Sequence, residues 1–178
     1  MNTMSATKKL VLSAIFLAIG LLLPLLTGQI PEIGKMLLPM HIPVLLCGFI
    51  CSWKYGAGMG FILPLVRSLI FGMPPIYPTA LAMAFELAAY GFLAGFLYAK
   101  LPKKIPYIYV SLIGAMLGGR LIWGAATAIL LGIGGSSFGF AAFWAGGFAT
   151  AVPGIIVQIV LIPIIIIALQ KSKLLKGE

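Results

Sequence analysis

Charged side chains are scarce in this 178-residue chain, and acidic ones are the scarcest. Lysine and arginine together number 12, aspartate and glutamate 3 and histidine 1, so that charged residues make up 8% of the chain. Soluble domains carry about 25% charged residues, whereas this chain is 62% hydrophobic with a mean hydropathy of +1.16. The shortage of charge excludes a soluble domain and predicts an integral membrane protein.

The scarcity of catalytic residue types argues against an enzyme. One histidine and three carboxylates leave hydrolytic or redox chemistry few groups to work with. Cys47 and Cys51 lie one helical turn apart without a neighbouring carboxylate or second histidine in the sequence, so we expect them to pack rather than to bind a metal. We therefore expect no metal site and no cofactor bound by this chain.

Long apolar runs predict an all-α integral membrane protein, a compact bundle of six transmembrane helices forming one domain over residues 1–178. Each crossing takes roughly 20 residues. We label the predicted helices segments 1 to 6, at about residues 10–26, 40–53, 57–71, 77–99 and 106–131, with the last reaching residue 168. Residues 140–144 follow a glycine-rich stretch and are interpreted either as a re-entrant loop or as the start of segment 6. The first run is long for a signal peptide, so we expect it to be retained.

The lysines predict the orientation of the bundle. If both termini are cytoplasmic, nine lysines lie on the inner side and only Lys35 lies on the outer side. This bias follows the positive-inside rule, and scattered lysines at segment ends suit lipid head groups better than nucleic acid. The outer loops, at residues 29–38, 72–78 and 132–139, are rich in Gly, Pro and polar residues and predict a ligand entrance facing outward.

Three ionisable groups, Arg67, Glu86 and Arg120, lie deep within apolar segments. A charge in hydrocarbon is expensive and survives only beside a partner, a cavity or a cargo. We expect Glu86 to pair with one arginine, and all three groups to be reachable from one outward-facing cavity. The arginine left over either bonds backbone carbonyls and extends toward the interface, or faces the cavity and binds a ligand carboxylate or phosphate.

Polar and aromatic neighbours of these charges complete the predicted pocket. They are His41 at the start of segment 2, Tyr90 one turn from Glu86, Trp123 near Arg120, and Gln158 at mid-depth in segment 6. Aromatic walls with a few aimed polar groups suit a small organic ligand. His41 has an alternative interpretation as a helix cap or a lipid-facing group.

Small residues spaced four apart predict close approaches between helices. Ala14 and Ala18 form such a pair on segment 1, as do glycines on segments 4 and 5. Segment 1 carries no charge within its apolar span, so its alanine ridge could equally receive another protein. A bundle with a ligand cavity but no nucleotide site would need an external motor to move cargo against a gradient.

In combination, these features resemble the substrate-binding S-components of energy-coupling factor (ECF) vitamin transporters. The resemblance covers essentially the whole chain and rests on six short helices with both ends inside and on a polar stretch after segment 1. It also rests on the runs AIFLA at 14–18, LPMHIP at 38–43, CGFI at 47–50, PLVRSL at 64–69 and FGMPP at 71–75.

The resemblance implies a vitamin-binding protein of a prokaryotic cell membrane. Its implied partners are one transmembrane coupling protein and two ATPases, which use the ATP. Ala14 and Ala18 would mediate docking on that module, and the loop containing Gln29, Glu32 and Lys35 would form a gate over the pocket. The family also implies that the whole component topples in the membrane to release its cargo.

The cargo is predicted from charge. A spare positive charge favours an anionic vitamin, with pantothenate first and biotin next, while riboflavin remains an alternative because its ring could use the aromatic faces. A different reading is a self-sufficient proton-coupled carrier or channel, with Glu86 as the protonatable group and Arg120 as its counter-charge. A structural or assembly subunit without a ligand is the third hypothesis.

Overall fold

Helices account for 85% of the computed structural model, which describes residues 4–26 and 30–172 and places no strand among them. The helices are α1 (Ala6–Leu26), α2 (Pro31–Leu37), α3 (His41–Ile50), α4 (Trp53–Phe71), α5 (Leu81–Lys100), α6 (Ile105–Ile133), α7 (Phe140–Trp144) and α8 (Val152–Lys171). Two π-helical turns, Ile76–Ala80 and Ala145–Ala149, precede α5 and follow α7. The predicted all-α membrane class is confirmed.

Segments 1 to 6 correspond to α1, α3, α4, α5, α6 and α8. The structure adds α2 within the stretch expected to be a loop, while Gln29 lies outside the described residues. Residues 140–144 form the separate helix α7 rather than the start of α8. Pro153 in the first turn of α8 explains the break, because proline cannot donate the backbone hydrogen bond that would continue a preceding helix.

The start of α5 also differs from the predicted start of segment 4 at residue 77. Tyr77 has an extended backbone with φ −113° and ψ 134°, as expected for a residue that precedes a proline. The preceding helix, α4, ends at Gly72. The φ of Gly72 is 70°, the left-handed conformation that glycine adopts readily at helix ends.

Five described segments are long and apolar enough to cross a membrane. They are Ala6–Leu26, Glu32–Ile50, Ile76–Lys100, Ile105–Ile133 and Val152–Lys171. The helix α4 is not among them, because Lys54, Arg67 and several glycines lower its average hydropathy. The exact number of crossings, predicted as six, stays a prediction.

Helices α3, α4 and α5 meet along a seam of glycines. A Cβ atom on Gly48 would come within 2.5 Å of the Gly91 carbonyl oxygen, and one on Gly56 within 2.7 Å of the Gly48 Cα. Such distances are shorter than real side chains permit, so the three backbones approach each other where only glycine fits. Much of the apolar core lies around this seam, including Val44, Leu63 and Leu87, which are fully buried.

The helix α1 lies against α3 and α4 by one narrow face. Ser13, Gly20 and Pro24 are buried there, whereas Ala14 and Ala18 are exposed. The thiol of Cys47 donates to Ser13 Oγ at 3.4 Å, linking α3 to α1. Most of the surface of α1 therefore faces outward from the bundle.

Two contacts hold α8 at its ends. Near its carboxyl end, Gln170 Nε2 donates to the Tyr98 hydroxyl at 2.8 Å. Lys103, in the loop after α5, lies over the Tyr98 ring, and burial lowers the pKa of this lysine. Near the other end α2 lies against α8, where a Cβ on Gly154 would come within 2.6 Å of the Met36 carbonyl oxygen.

Candidate functional site

A buried ion pair joins α5 to α6 at the centre of the candidate site. Arg120 Nη1 donates to Glu86 Oε1 at 2.7 Å, and only 1% of Glu86 and 4% of Arg120 is exposed. The pair predicted between Glu86 and one arginine is therefore present, and the arginine is Arg120. Charges this deep in an apolar bundle are retained only when a partner compensates for the lost hydration.

His41 and Tyr90 surround the same carboxylate. His41 Nε2 lies 3.3 Å from Glu86 Oε1, although the pair does not meet the geometry of a hydrogen bond. The His41 and Tyr90 rings meet edge to face, with centroids 4.9 Å apart. Because a Cβ on Gly119 would overlap the Tyr90 ring, that glycine lets Tyr90 pack directly against α6 beside Arg120. His41 thus points into the bundle and not toward lipid.

Several buried polar atoms of the bundle have no hydrogen-bond partner within the described chain. They are Arg120 Nε and Nη2, the Tyr90 hydroxyl, both ring nitrogens of His41, Thr127 Oγ1 and both amide atoms of Gln158. Buried polar groups are normally satisfied, because each one left without a partner costs about 1–3 kcal/mol. The unpartnered atoms of Arg120, His41 and Tyr90 surround Glu86, which makes this group a candidate binding site.

A cleft between α6 and α8 is lined by two of these residues, Tyr90 and Arg120. It has a volume of ≈ 210 Å³ and is lined by Tyr90, Ile113, Met116, Leu117, Arg120, Phe148, Ile155 and Ile159. Gln158 lies on the face of α8 that carries Ile155 and Ile159, one turn or less away along the helix. Ile113 and Leu117 are exposed on the outside of the bundle, so the cleft opens sideways between the two helices.

Trp123 does not line the cleft. Its ring stacks on Phe143 with centroids 6.3 Å apart and meets Phe138 edge to face at 5.8 Å. Phe148, which lines the cleft, lies 5.8 Å from Phe143. The structure thus places Trp123 in an aromatic cluster that ends at the cleft. The sequence alone does not identify Phe148 as a residue of the cleft.

Arg67 lies apart from the ion pair. Its Nη1 donates to the Leu21 carbonyl oxygen of α1 at 2.5 Å, and its guanidinium lies 5.0 Å from the centre of the Phe71 ring. Pro24 interrupts the hydrogen-bond ladder of α1 in the same turn. Arg67 therefore follows the alternative in which the spare arginine bonds a backbone carbonyl, and it connects α1 to α4.

This separation changes the electrostatics expected of the site. The positive charge left over after the ion pair forms belongs to Arg67, between α1 and α4. Around the cleft, Glu86 already balances Arg120. The spare charge that favoured an anionic ligand is consequently absent from the group of Glu86, Arg120, His41 and Tyr90.

The remaining predicted residues that the structure describes are exposed on the surface of the bundle. Glu32 and Lys35 are exposed on α2, the short helix that replaces the expected gating loop, and Gln29 falls outside the described residues. Ala14 and Ala18 are exposed on α1. Among residues 4–26 and 30–172, no three His, Cys, Asp or Glu side chains come together as metal ligands would.

Comparison with known proteins adds a family assignment. A sequence model described as ECF transporter, substrate-specific component matches residues 8–166, which is most of the chain. No curated protein and no solved structure matches the chain.

Proposed function

The chain belongs to the family of ECF transporter substrate-specific components, and from that premise we propose that it captures a small organic nutrient beside Glu86 and Arg120. The family consists of binding components of transporters and is not a family of enzymes. The ligand would be released when the protein is docked on its membrane-embedded energising module. In this proposal the chain itself catalyses no reaction and binds no cofactor, since partner ATPases use the ATP.

The observation that carries the proposal is the set of unpartnered polar atoms beside the cleft. Arg120 Nε and Nη2 and the Tyr90 hydroxyl are buried without partners in the described chain, and both residues line the cleft. A purely structural ion pair would be expected to have its remaining donors satisfied by the protein. Unsatisfied donors next to apolar walls are typical of a ligand-binding site.

The proposed topology is six crossings with both termini in the cytoplasm of a prokaryote. The helix α4 has 19 residues, which at about 1.5 Å per residue comes close to the roughly 30 Å of the bilayer core. Its contacts with α3 and α5 along the glycine seam support a position inside the bundle. With α4 counted, the crossings are even in number and the basic loops lie on one side.

The cargo we propose is a small vitamin. Pantothenate, biotin and riboflavin are the candidates, and the ≈ 210 Å³ cleft lies below the range of about 300–1,000 Å³ found for drug-sized ligands. The cleft volume favours the smaller members of this group. The volume says nothing about the charge of the bound molecule. Arg120 does not by itself favour an anion, because Glu86 neutralises it.

A reconstitution experiment tests the proposal. Vesicles containing the chain with a coupling protein and two ATPases should accumulate the ligand only when ATP is present. Ala14→Trp and Ala18→Trp should abolish this uptake while leaving ligand binding by the purified chain intact, because these exposed alanines form the proposed docking ridge. Val110→Trp, at an exposed position on α6, is the matched control and should transport normally.

The alternative carrier hypothesis makes the opposite forecast. A proton-coupled carrier using Glu86 would move its cargo without ATPases, driven by a proton gradient, and bulky residues at positions 14 and 18 would have no effect. Gradient-driven uptake by the chain alone would therefore reject the proposal in favour of the carrier. A protein that neither binds nor moves any vitamin would point to the structural subunit instead.

A further inference from the structure

The two edges of the Arg120 guanidinium differ in their surroundings. Nη1 donates to Glu86, whereas Nε and Nη2 are buried and have no partner among the described residues. Nε and Nη2 lie on one edge of a rigid plane, so their N–H bonds run parallel and present a fork of two donors. Glu86 therefore holds the guanidinium by its other side, and this fork has no partner among the described residues.

Two further polar side chains are buried without a hydrogen-bond partner in the described chain. The Tyr90 hydroxyl is buried without a partner, and Tyr90 lines the cleft together with Arg120. Gln158 is fully buried, its amide is unpartnered, and it lies on the side of α8 whose Ile155 and Ile159 form the opposite wall. The guest that satisfies such a set must be rich in hydrogen-bond acceptors.

The net charge of the site distinguishes anionic from uncharged ligands. Glu86 and Arg120 together are neutral, so a carboxylate placed on the fork would leave one net negative charge in a buried site, which is strongly unfavourable. The titratable side chains that face the pair are His41 and Tyr90. Only His41 could supply a compensating positive charge, and it would have to bind a proton to do so.

We propose that the Nε and Nη2 edge of Arg120 recognises an uncharged ligand head whose acceptor lone pairs can take both N–H bonds, in preference to a carboxylate. The carbonyl oxygen of an amide has this property because it has two lone pairs, and a ring carbonyl beside an unprotonated nitrogen offers one acceptor to each N–H. The remainder of the ligand is apolar or planar, because Met116, Phe148 and Ile155 form the walls. The inference rests on the proposed function and narrows its substrate from vitamins in general to those with an uncharged head.

Matched pairs of compounds test the inference. Calorimetric titration of the purified chain at pH 8 would compare nicotinamide with nicotinate, pantothenol with pantothenate, and biotinamide with biotin. For whichever pairs bind, the uncharged member should bind at least about tenfold more tightly, since a buried charge without a counter-charge is costly. Equal binding, or tighter binding of the carboxylate, would overturn the inference and leave the receptor function standing.

Substitutions distinguish the contribution of the two paired donors of Arg120 from that of its positive charge. Arg120→Lys keeps the positive charge but loses the paired donors, and should weaken binding by about a hundredfold. Arg67→Lys is the matched control, because Arg67 contacts Leu21 and Phe71 instead, and it should leave the preference between pair members unchanged. Glu86→Gln, if it folds, should shift the preference toward the carboxylate.

Native mass spectrometry covers the case in which no pair binds. An uncharged small molecule released from the gently purified wild-type protein would support the inference, and an anionic one would overturn it. A protein that releases nothing, binds nothing and supports no ATP-dependent uptake would reject the proposed function itself. The outcome that rejects the preference for an uncharged ligand thus differs from the outcome that rejects the binding function.

Discussion

At the scale of single residues, the ion pair of Glu86 and Arg120 dominates the energetics of the site. Both side chains are almost completely buried, and the N–O distance of 2.7 Å is that of a strong charge-assisted hydrogen bond. A buried pair of this kind adds little stability compared with apolar residues of the same shape, but removing one member leaves the other without compensation. Single substitutions should therefore be far more damaging than paired ones.

Glu86→Gln should lower the free energy of unfolding by about 3–5 kcal/mol, because Arg120 would keep its charge in an apolar surrounding. Thermal unfolding of the purified protein in detergent measures the effect. Glu32→Gln, which removes a carboxylate exposed on α2, is the matched control and should change stability by less than about 0.5 kcal/mol.

The double variant Glu86→Gln with Arg120→Met should recover part of the loss, since no unpaired charge remains. A double variant at least as unstable as the sum of the two single ones would show that the pair is not coupled as the structure indicates. The fraction of the free energy of unfolding that is recovered also measures how much of the loss comes from the unpaired Arg120 guanidinium.

The sequence reveals such residues because charges are rare in apolar segments, but it does not reveal their partners. Arg67 and Arg120 both lie within reach of Glu86 when only depth along a helix is considered. Their separation depends on the Leu21 carbonyl beside Pro24, a tertiary contact with α1 that no local pattern encodes. Phe148 was missed for a related reason, since an aromatic residue in a membrane segment is too common to indicate a wall of a cleft.

At the scale of elements, the glycine seam decides how closely α3, α4 and α5 approach. Gly56 and Gly58 on α4 provide a comparison within one helix. A Cβ on Gly56 would meet both the Gly48 Cα and the Gly91 carbonyl oxygen at 2.7 Å, whereas a Cβ on Gly58 would meet nothing within 4 Å. The same substitution at the two positions thus has opposite expected effects.

Gly56→Ala should destabilise the protein by about 1–3 kcal/mol, because the overlap involves backbone that cannot move without separating the helices. Gly58→Ala should be neutral or stabilise it by up to about 1 kcal/mol through the higher helix propensity of alanine. Thermal unfolding of the two variants side by side measures both. Similar losses at the two positions would argue against the close approach of α4 to α3 and α5.

The helices themselves were largely predictable because twenty apolar residues in a bilayer must satisfy their backbone internally. The errors arose where special residues act locally. Pro78 pushed the regular start of α5 to Leu81, and Pro153 separated α7 from α8. The helix α2 has only seven residues and was hidden in a stretch with Pro, Gly and charged side chains, which ordinarily predicts a loop.

At the scale of the whole molecule, the orientation in the membrane can be tested by cysteine labelling in cells. Native Cys47 and Cys51 are buried, so background reaction should be low. A membrane-impermeant maleimide should label Ser136→Cys, exposed after α6, in intact cells, and Lys104→Cys, exposed before α6, only after permeabilisation. The reverse pattern would place the termini outside and reject the orientation derived from the lysines.

The same reagent tests whether α4 crosses the membrane. Lys54→Cys and Ile76→Cys are exposed positions near the two ends of α4. With α4 as a full crossing, the first should be labelled only after permeabilisation and the second in intact cells. Labelling of both on the same side would reduce the number of crossings and place the two termini on opposite faces.

The close contact between Gly154 and α2 has a mechanical consequence. Since the backbone of Met36 lies against Gly154 of α8, a displacement of α2 would act on the amino-terminal half of α8, which carries Ile155 and Ile159. Gln170 is hydrogen-bonded to Tyr98 near the carboxyl end of the same helix, so that end is held in place. A displacement of α2 would therefore also move one wall of the cleft.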